Sequence, residues 1–146
     1  MIIIPRKTIC NEARELLGTA YYHCGRDLNG LDCAGVPIFI AIKLGVFVGE
    51  DRQNYDRIPN GGMLLKAMKD LCGKKIEKTQ MKAGDILLMR FNEEPQHVGI
   101  LVEDNYLIHS YLRERKVVLT RINETWYDRI IAVFEFPNVE KEEEKG

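Results

Sequence analysis

Cys33, His97 and His109 are the residues of this chain whose types and placing best suit covalent chemistry. Cys33 stands between Asp32 and Ala34-Gly35-Val36-Pro37, and Ile38 to Leu44 beyond it is almost wholly apolar. Asp32 is a favoured N-cap residue, and Pro37 comes early enough in a helix to be tolerated. The pattern predicts a loop that ends in an N-cap and delivers Cys33 into the first turn of a buried helix, with Gly45 as its stop. A thiol placed there faces unpaired backbone N–H groups and the positive end of the helix dipole, both of which favour the thiolate. That chemistry is nucleophilic, and it needs a base.

The base is sought between His97 and His109, where two strands flank a short polar loop. A two-residue connection, Asp104-Asn105, would set His97 opposite Leu112 and His109 opposite Ile100, with the imidazoles on opposite faces of the sheet. A three-residue connection, Glu103-Asp104-Asn105, sets Gly99 opposite His109 and His97 opposite Tyr111, and both rings share one face. Asn105 suits the left-handed third position of such a loop. Gly99 would then leave a notch between the rings, and the other face would carry Val98, Ile100, Val102 and Ile108 as core. In that arrangement His97 takes the thiol proton, His109 orients the base, and the Cys33 N–H with a donor such as Tyr21 stabilises the oxyanion.

These residues need a scaffold, and 146 residues with 45% hydrophobic content suit one domain with one core. Lys7 to Leu17 reads as a first helix with a stripe of Ile9, Ala13, Leu16 and Leu17, stopped by Gly18. The Cys33 helix is second, and Met63 to Cys72 is a third. After the Ala83-Gly84-Asp85 turn the period changes to that of strands: Ile86 to Phe91, His97 to Val102, Tyr106 to Leu112, Lys116 to Ile122 and Ile130 to Phe136. A short Asn123-Glu124-Thr125 cap and one turn around Trp126, itself expected in the core, precede the last of these. Helices followed by about five antiparallel strands make an α+β domain over residues 1–137, with 138–146 as a charged, disordered tail. The loop from Tyr22 to Asn29 and the segment from Val46 to Asn60 are expected to wall the site.

Composition excludes several classes. With 21 basic and 22 acidic residues the net charge is −1, which gives nucleic acid no electrostatic footprint. No apolar run is long enough to span a membrane, and Met1-Ile2-Ile3-Ile4 followed by Pro5-Arg6-Lys7 is no secretory signal. Synthesis in the cytoplasm without a signal peptide is therefore expected. Four irregularly spaced cysteines need no disulfide framework, and Cys10 and Cys72 read as small buried hydrophobes. His23 and Cys24 invite a metal reading with Cys33 and His97, but their spacing fits no common zinc signature, so neither metal nor cofactor is expected.

Leu17-Gly18-Thr19-Ala20-Tyr21, Asp32-Cys33-Ala34-Gly35, Ala83-Gly84-Asp85-Ile86-Leu87, His97-Val98-Gly99-Ile100 and Ile108-His109, in this order, resemble the NlpC-type cell-wall cysteine endopeptidases. The resemblance runs from about Ala13 to about Ile131. It implies a minimal papain-like fold and cleavage of peptidoglycan stem peptides, often between γ-D-glutamate and a diamino acid. It places the nucleophile on Cys33, the base on His97, the third polar residue on His109 and the site tyrosine on Tyr21, with Asp32 and Gly99 toward the substrate. The family usually has serine where this chain has Ala34, which puts recognition of a free L-alanine terminus in doubt. With no cell-wall-binding repeats, the resemblance points to a phage tail-associated peptidase with tail-tip partners, or an injected effector, acting at the bacterial cell wall. An acyltransferase or amidase using the same Cys-His machinery, and a non-enzymatic adaptor domain of the same fold, are the alternatives.

Overall fold

The structure is a computed structural model that describes residues 3–47, 63–71, 74–91 and 94–141. Helix α1 (Arg6–Glu15) buries Ile9, Cys10 and Ala13. Leu16 continues this stripe, whereas Leu17, expected on it, is exposed. A two-stranded hairpin, β1 (Arg26–Asp27) and β2 (Gly30–Leu31), forms within the expected loop and leads into α2 (Gly35–Lys43). Val36, Pro37, Ile38, Ile40 and Ala41 of α2 are buried, so its nearly uniform apolarity is that of a core helix. Helix α3 (Met63–Leu71) is third; Cys72, its expected last residue, and most of the Val46–Asn60 segment lie outside the described residues.

The remaining elements form one antiparallel sheet in the order β3-β8-β4-β5-β6-β7. Its strands are β3 (Lys74–Ile76), β4 (Ile86–Phe91), β5 (Glu94–Val102), β6 (Tyr106–Tyr111), β7 (Lys116–Arg121) and β8 (Ile130–Glu135), with α4 (Glu124–Arg129) before the last. The sheet has six strands where five were expected. The extra one, Lys-Lys-Ile at the edge beside β8, is too short and too polar to show a period of two. The cap expected before Trp126 is present: Asn123 Oδ1 accepts the Trp126 N–H at 2.9 Å and starts α4.

The two faces of the sheet carry separate apolar clusters. Ile86, Leu88, Val98, Ile100, Val102 and Ile108 face α1 and α2. Leu87, Met89, Leu101, Leu107 and Val133 face the other way, toward Trp126 and Tyr127 of α4. A charged clamp fastens α1 to the sheet: Arg6 reaches Asp85 and Glu135, each at 2.6 Å. Asp85 is fully buried, and burial pushes its carboxyl up against the opposing pull of Arg6.

The chain beyond 137 is joined to this frame rather than loose. The Ile4 N–H donates to the Asn138 carbonyl and the Glu140 N–H to the Ile4 carbonyl, both at 2.8 Å. Asn138 to Glu140, expected in the tail, are therefore paired with the start of the chain. A backbone ladder next to the domain's first helix outweighs the solvation of a charged run.

Strand β5 meets β6 through Val102↔Tyr106, Leu101↔Leu107 and Ile100↔Ile108, which leaves Glu103, Asp104 and Asn105 as the three-residue connection. Asn105 is left-handed as expected (φ 64°), and Asp104 shares that conformation (φ 63°). This register puts Gly99 across from His109, but the notch expected there is filled. A Cβ on Gly99 would lie 2.6 Å from Leu107 Cδ1, 2.9 Å from His109 Cβ and 3.0 Å from the Ile108 carbonyl. Gly99 is buried and makes room for His109. Gly99→Ala should therefore destabilise the fold by about 1–3 kcal/mol through overpacking, read as a lower urea midpoint.

Candidate active site

Asp32 fixes the position of Cys33. Its carboxylate, buried to 2% exposure, accepts the Gly35 N–H at 2.8 Å, the Cys24 N–H at 3.0 Å and the Arg26 guanidinium at 2.8 Å. The helix begins later than expected, with Ala34 at its N-cap position and Cys33 in the turn before it, while Asp32 still accepts the N–H of its first residue. The same oxygens also hold the β1–β2 hairpin against the head of α2. Gly35 allows this closeness, since a Cβ there would meet the Gly25 carbonyl and Asp32 itself. With both oxygens engaged inside the protein, Asp32 holds the helix head and the hairpin together.

Cys33 lies one residue before the αR turn at Ala34, and the nearby backbone N–H groups of Val98 and Ala34 favour a charge on its sulfur. Val98 directly follows His97, so the sulfur rests against the strand at the base residue. From the other side, Ser110 Oγ donates to the Leu31 carbonyl at 2.5 Å. Ser110 is the neighbour of His109, and Leu31 stands two residues before Cys33. The two histidine strands thus both hold the segment that carries the thiol.

His97 and His109 share the α4 face of the sheet, as the three-residue connection requires. His97 Nε2 lies 2.6 Å from His109 Nδ1, and His109 Nε2 lies 2.8 Å from Thr120 Oγ1. One assignment of protons satisfies the whole chain. His97 donates from Nε2 to His109 Nδ1, His109 donates from Nε2 to Thr120, and His97 Nδ1 is left as the basic atom. Aromatic rings enclose the pair: Tyr111 stacks on His109 at 5.1 Å, Trp126 meets it edge-on at 5.3 Å, and Phe91 lies 5.8 Å from His97.

This enclosure decides the resting protonation. Burial pushes the Cys33 thiol up to about 12, with the Asp32 charge adding to the rise and the Val98 and Ala34 N–H groups opposing it. Burial holds His97 well below the usual histidine range, aided by His109 and Arg129, and lowers His109 to about 4. The resting pair is a neutral thiol and a neutral imidazole. Desolvation by burial thus opposes the thiolate expected from the helix terminus and outweighs the pull of the two N–H groups.

Tyr21 is half-buried and Tyr22 exposed. The Tyr21 N–H donates to the Arg115 carbonyl at 2.9 Å, and Tyr21 forms a bridge with Leu31. Sequence reasoning missed Thr120 and Arg129, and it placed Tyr111 opposite His97 without giving it a role. Thr120 and Tyr111 follow from parity once the β6–β7 register is known (His109↔Val118, Leu107↔Thr120); Arg129 had no signal in the sequence. His23, Cys24 and Asp32 offer ligand atoms within 4.8 Å of one another, but the Asp32 oxygens are already engaged by Arg26 and by backbone N–H groups. A guanidinium on a ligating carboxylate opposes a cation there.

A cysteine at the head of a buried helix, braced against an antiparallel sheet that carries a hydrogen-bonded histidine pair, is the layout of papain-like thiol hydrolases. The profile of the NlpC/P60 family matches residues 18–135, and the chain belongs to that family. Protein P54 of Enterococcus faecium is 28% identical over 125 residues, 86% of this chain and 21% of P54, so the chain spans about a fifth of that relative. The NlpC/p60 domain of the peptidoglycan hydrolase SagA matches with a TM-score of 0.64 at 22% identity, covering 91% of this chain and 100% of that one. An NlpC/P60 family protein from Bacillus cereus matches at 0.72 and 19%, covering 92% and 41%. The peptidoglycan hydrolase RipB of Mycobacterium tuberculosis matches at 0.65 and 16%, covering 93% and 65%.

Two outcomes follow from the neutral pair. A thiol with a pKa of about 12 should be alkylated by iodoacetamide at a rate that rises about tenfold per pH unit between pH 7 and 9. A plateau near neutrality would instead reveal a stored thiolate–imidazolium pair. His109 binds its proton near 6.5 when unfolded but only near 4 when folded. The unfolded state therefore binds more protons in that window, and stability falls as pH drops from about 6.5 to about 4, by roughly 3 kcal/mol from this residue. Urea midpoints measured across that range should show the fall, and His109→Gln should flatten it.

Proposed function

We propose that this chain is a cysteine peptidase that hydrolyses peptidoglycan stem peptides through Cys33, His97 and His109. The observation that carries the proposal is the hydrogen-bonded pair of His97 and His109, on strands of which one, through the Val98 N–H, lies near the Cys33 sulfur. The sulfur attacks the carbonyl carbon of the scissile amide while His97 Nδ1 takes the thiol proton. The Val98 and Ala34 N–H groups meet the negative charge on sulfur as it forms. The Cys33 N–H and Tyr21 are the proposed donors to the oxyanion. His97 returns its proton to the leaving amine, which departs and leaves a thioester. It then deprotonates the water that releases the acyl group and regenerates the thiol. His109 and Thr120 act throughout by holding His97 in the tautomer whose Nδ1 is basic.

Substrate class is supported by membership of the NlpC/P60 family and by likeness in fold to SagA and RipB, both named as peptidoglycan hydrolases. Two finer parts rest on the sequence resemblance alone: the bond between γ-D-glutamate and a diamino acid, and a phage-tail or injected setting with action at the cell wall. The near-complete burial of Cys33, 9% exposed, favours a second reading, a non-enzymatic domain of the same fold.

Digestion of purified sacculi separates the two. The native chain should release new peptide amines detectable by mass spectrometry, and Cys33→Ala and His97→Ala should each lower the rate by at least about a thousandfold. Equal digestion by the native chain and both variants would sink the peptidase proposal; no digestion by any of them would favour the non-enzymatic domain. Transfer of the acyl group to an added amine would redirect the assignment to an acyltransferase.

A further inference from the structure

A cavity of ≈ 640 Å³ opens between two segments already tied to the site, and it is lined by Tyr21, Tyr22, His23, Leu112 and Arg115. One wall belongs to the loop that leads through Leu31 to Cys33. The other is the turn after Tyr111, the residue stacked on His109. The Tyr21 N–H to Arg115 carbonyl bond joins the two walls at their base. The cavity therefore lies between the loop that leads to Cys33 and the turn that follows the His109 strand, and Tyr21 is common to it and to the proposed oxyanion donors.

The charge of its rim is distinctive. The turn Leu112–Lys116 carries Arg113, Arg115 and Lys116 against Glu114 alone, in a chain whose net charge is −1. Arg115 is exposed, and its left-handed backbone (φ 61°) is held by the bond to Tyr21. Among the described residues no carboxylate lies within ion-pair distance of its guanidinium. A fork of guanidinium donors beside tyrosine rings and a leucine suits one ligand chemistry well, a carboxylate on an aliphatic stem.

We propose that this cavity is a subsite that receives a stem-peptide carboxylate adjoining the bond cut, with Arg115 as the specificity-determining residue. The proposal rests on the peptidase reading above. A γ-linked glutamate keeps its α-carboxylate free, and a diamino acid can carry a second carboxylate outside the chain. Both sources present the same anion, a carboxylate on an aliphatic stem, on one of the two residues that flank the scissile amide.

The test uses the Cys33→Ala protein, so that turnover does not interfere, and three synthetic stem peptides measured by calorimetry. One peptide has both carboxylates free, one is amidated at the glutamate, and one is amidated at the diamino acid. We expect one of the two amidations to weaken binding at least tenfold, which identifies the source. Arg115→Gln should weaken binding of the free-acid peptide to that same level and leave the discriminated amide unchanged, and Arg115→Lys should recover part of the loss. In the protein with Cys33 intact, Arg115→Gln should act mainly on KM for the free-acid peptide. Equal binding of all three peptides, no binding of any, or no effect of Arg115→Gln would overturn the subsite. Cleavage without discrimination removes the subsite and leaves the peptidase; discrimination through Arg115 without cleavage by the native chain does the reverse.

Discussion

The site depends on a register. Three residues connect β5 to β6, and because side chains alternate faces with a period of two, that number places His97 and His109 together. One residue fewer would send one imidazole among Val98, Ile100 and Ile108, where no polar partner awaits it. Two left-handed residues, Asp104 and Asn105, hold the connection to this length. Gly99 then admits the His109 side chain across the ladder, and the 2.6 Å contact between the rings follows. A turn at one end of the hairpin thereby sets the hydrogen bonding at the other.

Burial gives the site its electrostatic character. Thiol, base and orienting imidazole all lie where charge is costly, so the resting state keeps each of them neutral. A neutral chain of donors running from His97 through His109 to Thr120 still leaves one imidazole nitrogen basic. The N–H groups at the sulfur are in place before any charge appears. Such preorganisation costs little reorganisation when a thiolate forms during attack. Asp32 is compatible with this arrangement because its carboxylate is matched by Arg26 and by two backbone donors.

Few side-chain ties hold the elements around the thiol together, and those of Ser110 and Arg6 join segments remote in sequence. Ser110 holds Leu31, Arg6 clamps Asp85 and Glu135, and Asp32 gathers the head of α2 with the hairpin before it. Relatives that share the fold at 16–22% identity show how little side-chain identity the architecture needs. Parity, burial and a few polar ties suffice to define it.

The sequence by itself determined the helix that presents Cys33, the capping role of Asp32, the Asn123 cap of α4 and the strand pattern from Ile86 onward. Each is a local matter of cap chemistry or of a period that shows within ten residues. It also limited the histidine geometry to two cases and named Asn105 as the residue favouring one of them. Only the tertiary structure decided what depends on distant neighbours. The β3 edge strand exists because β8 offers it a ladder, and Asn138 to Glu140 are ordered because Ile4 runs beside them. Gly99 serves His109 because Leu107 and His109 fill the space above it. The thiol is neutral at rest because the packing of other segments removes water from it, and desolvation is a property of the assembled core that no local pattern records.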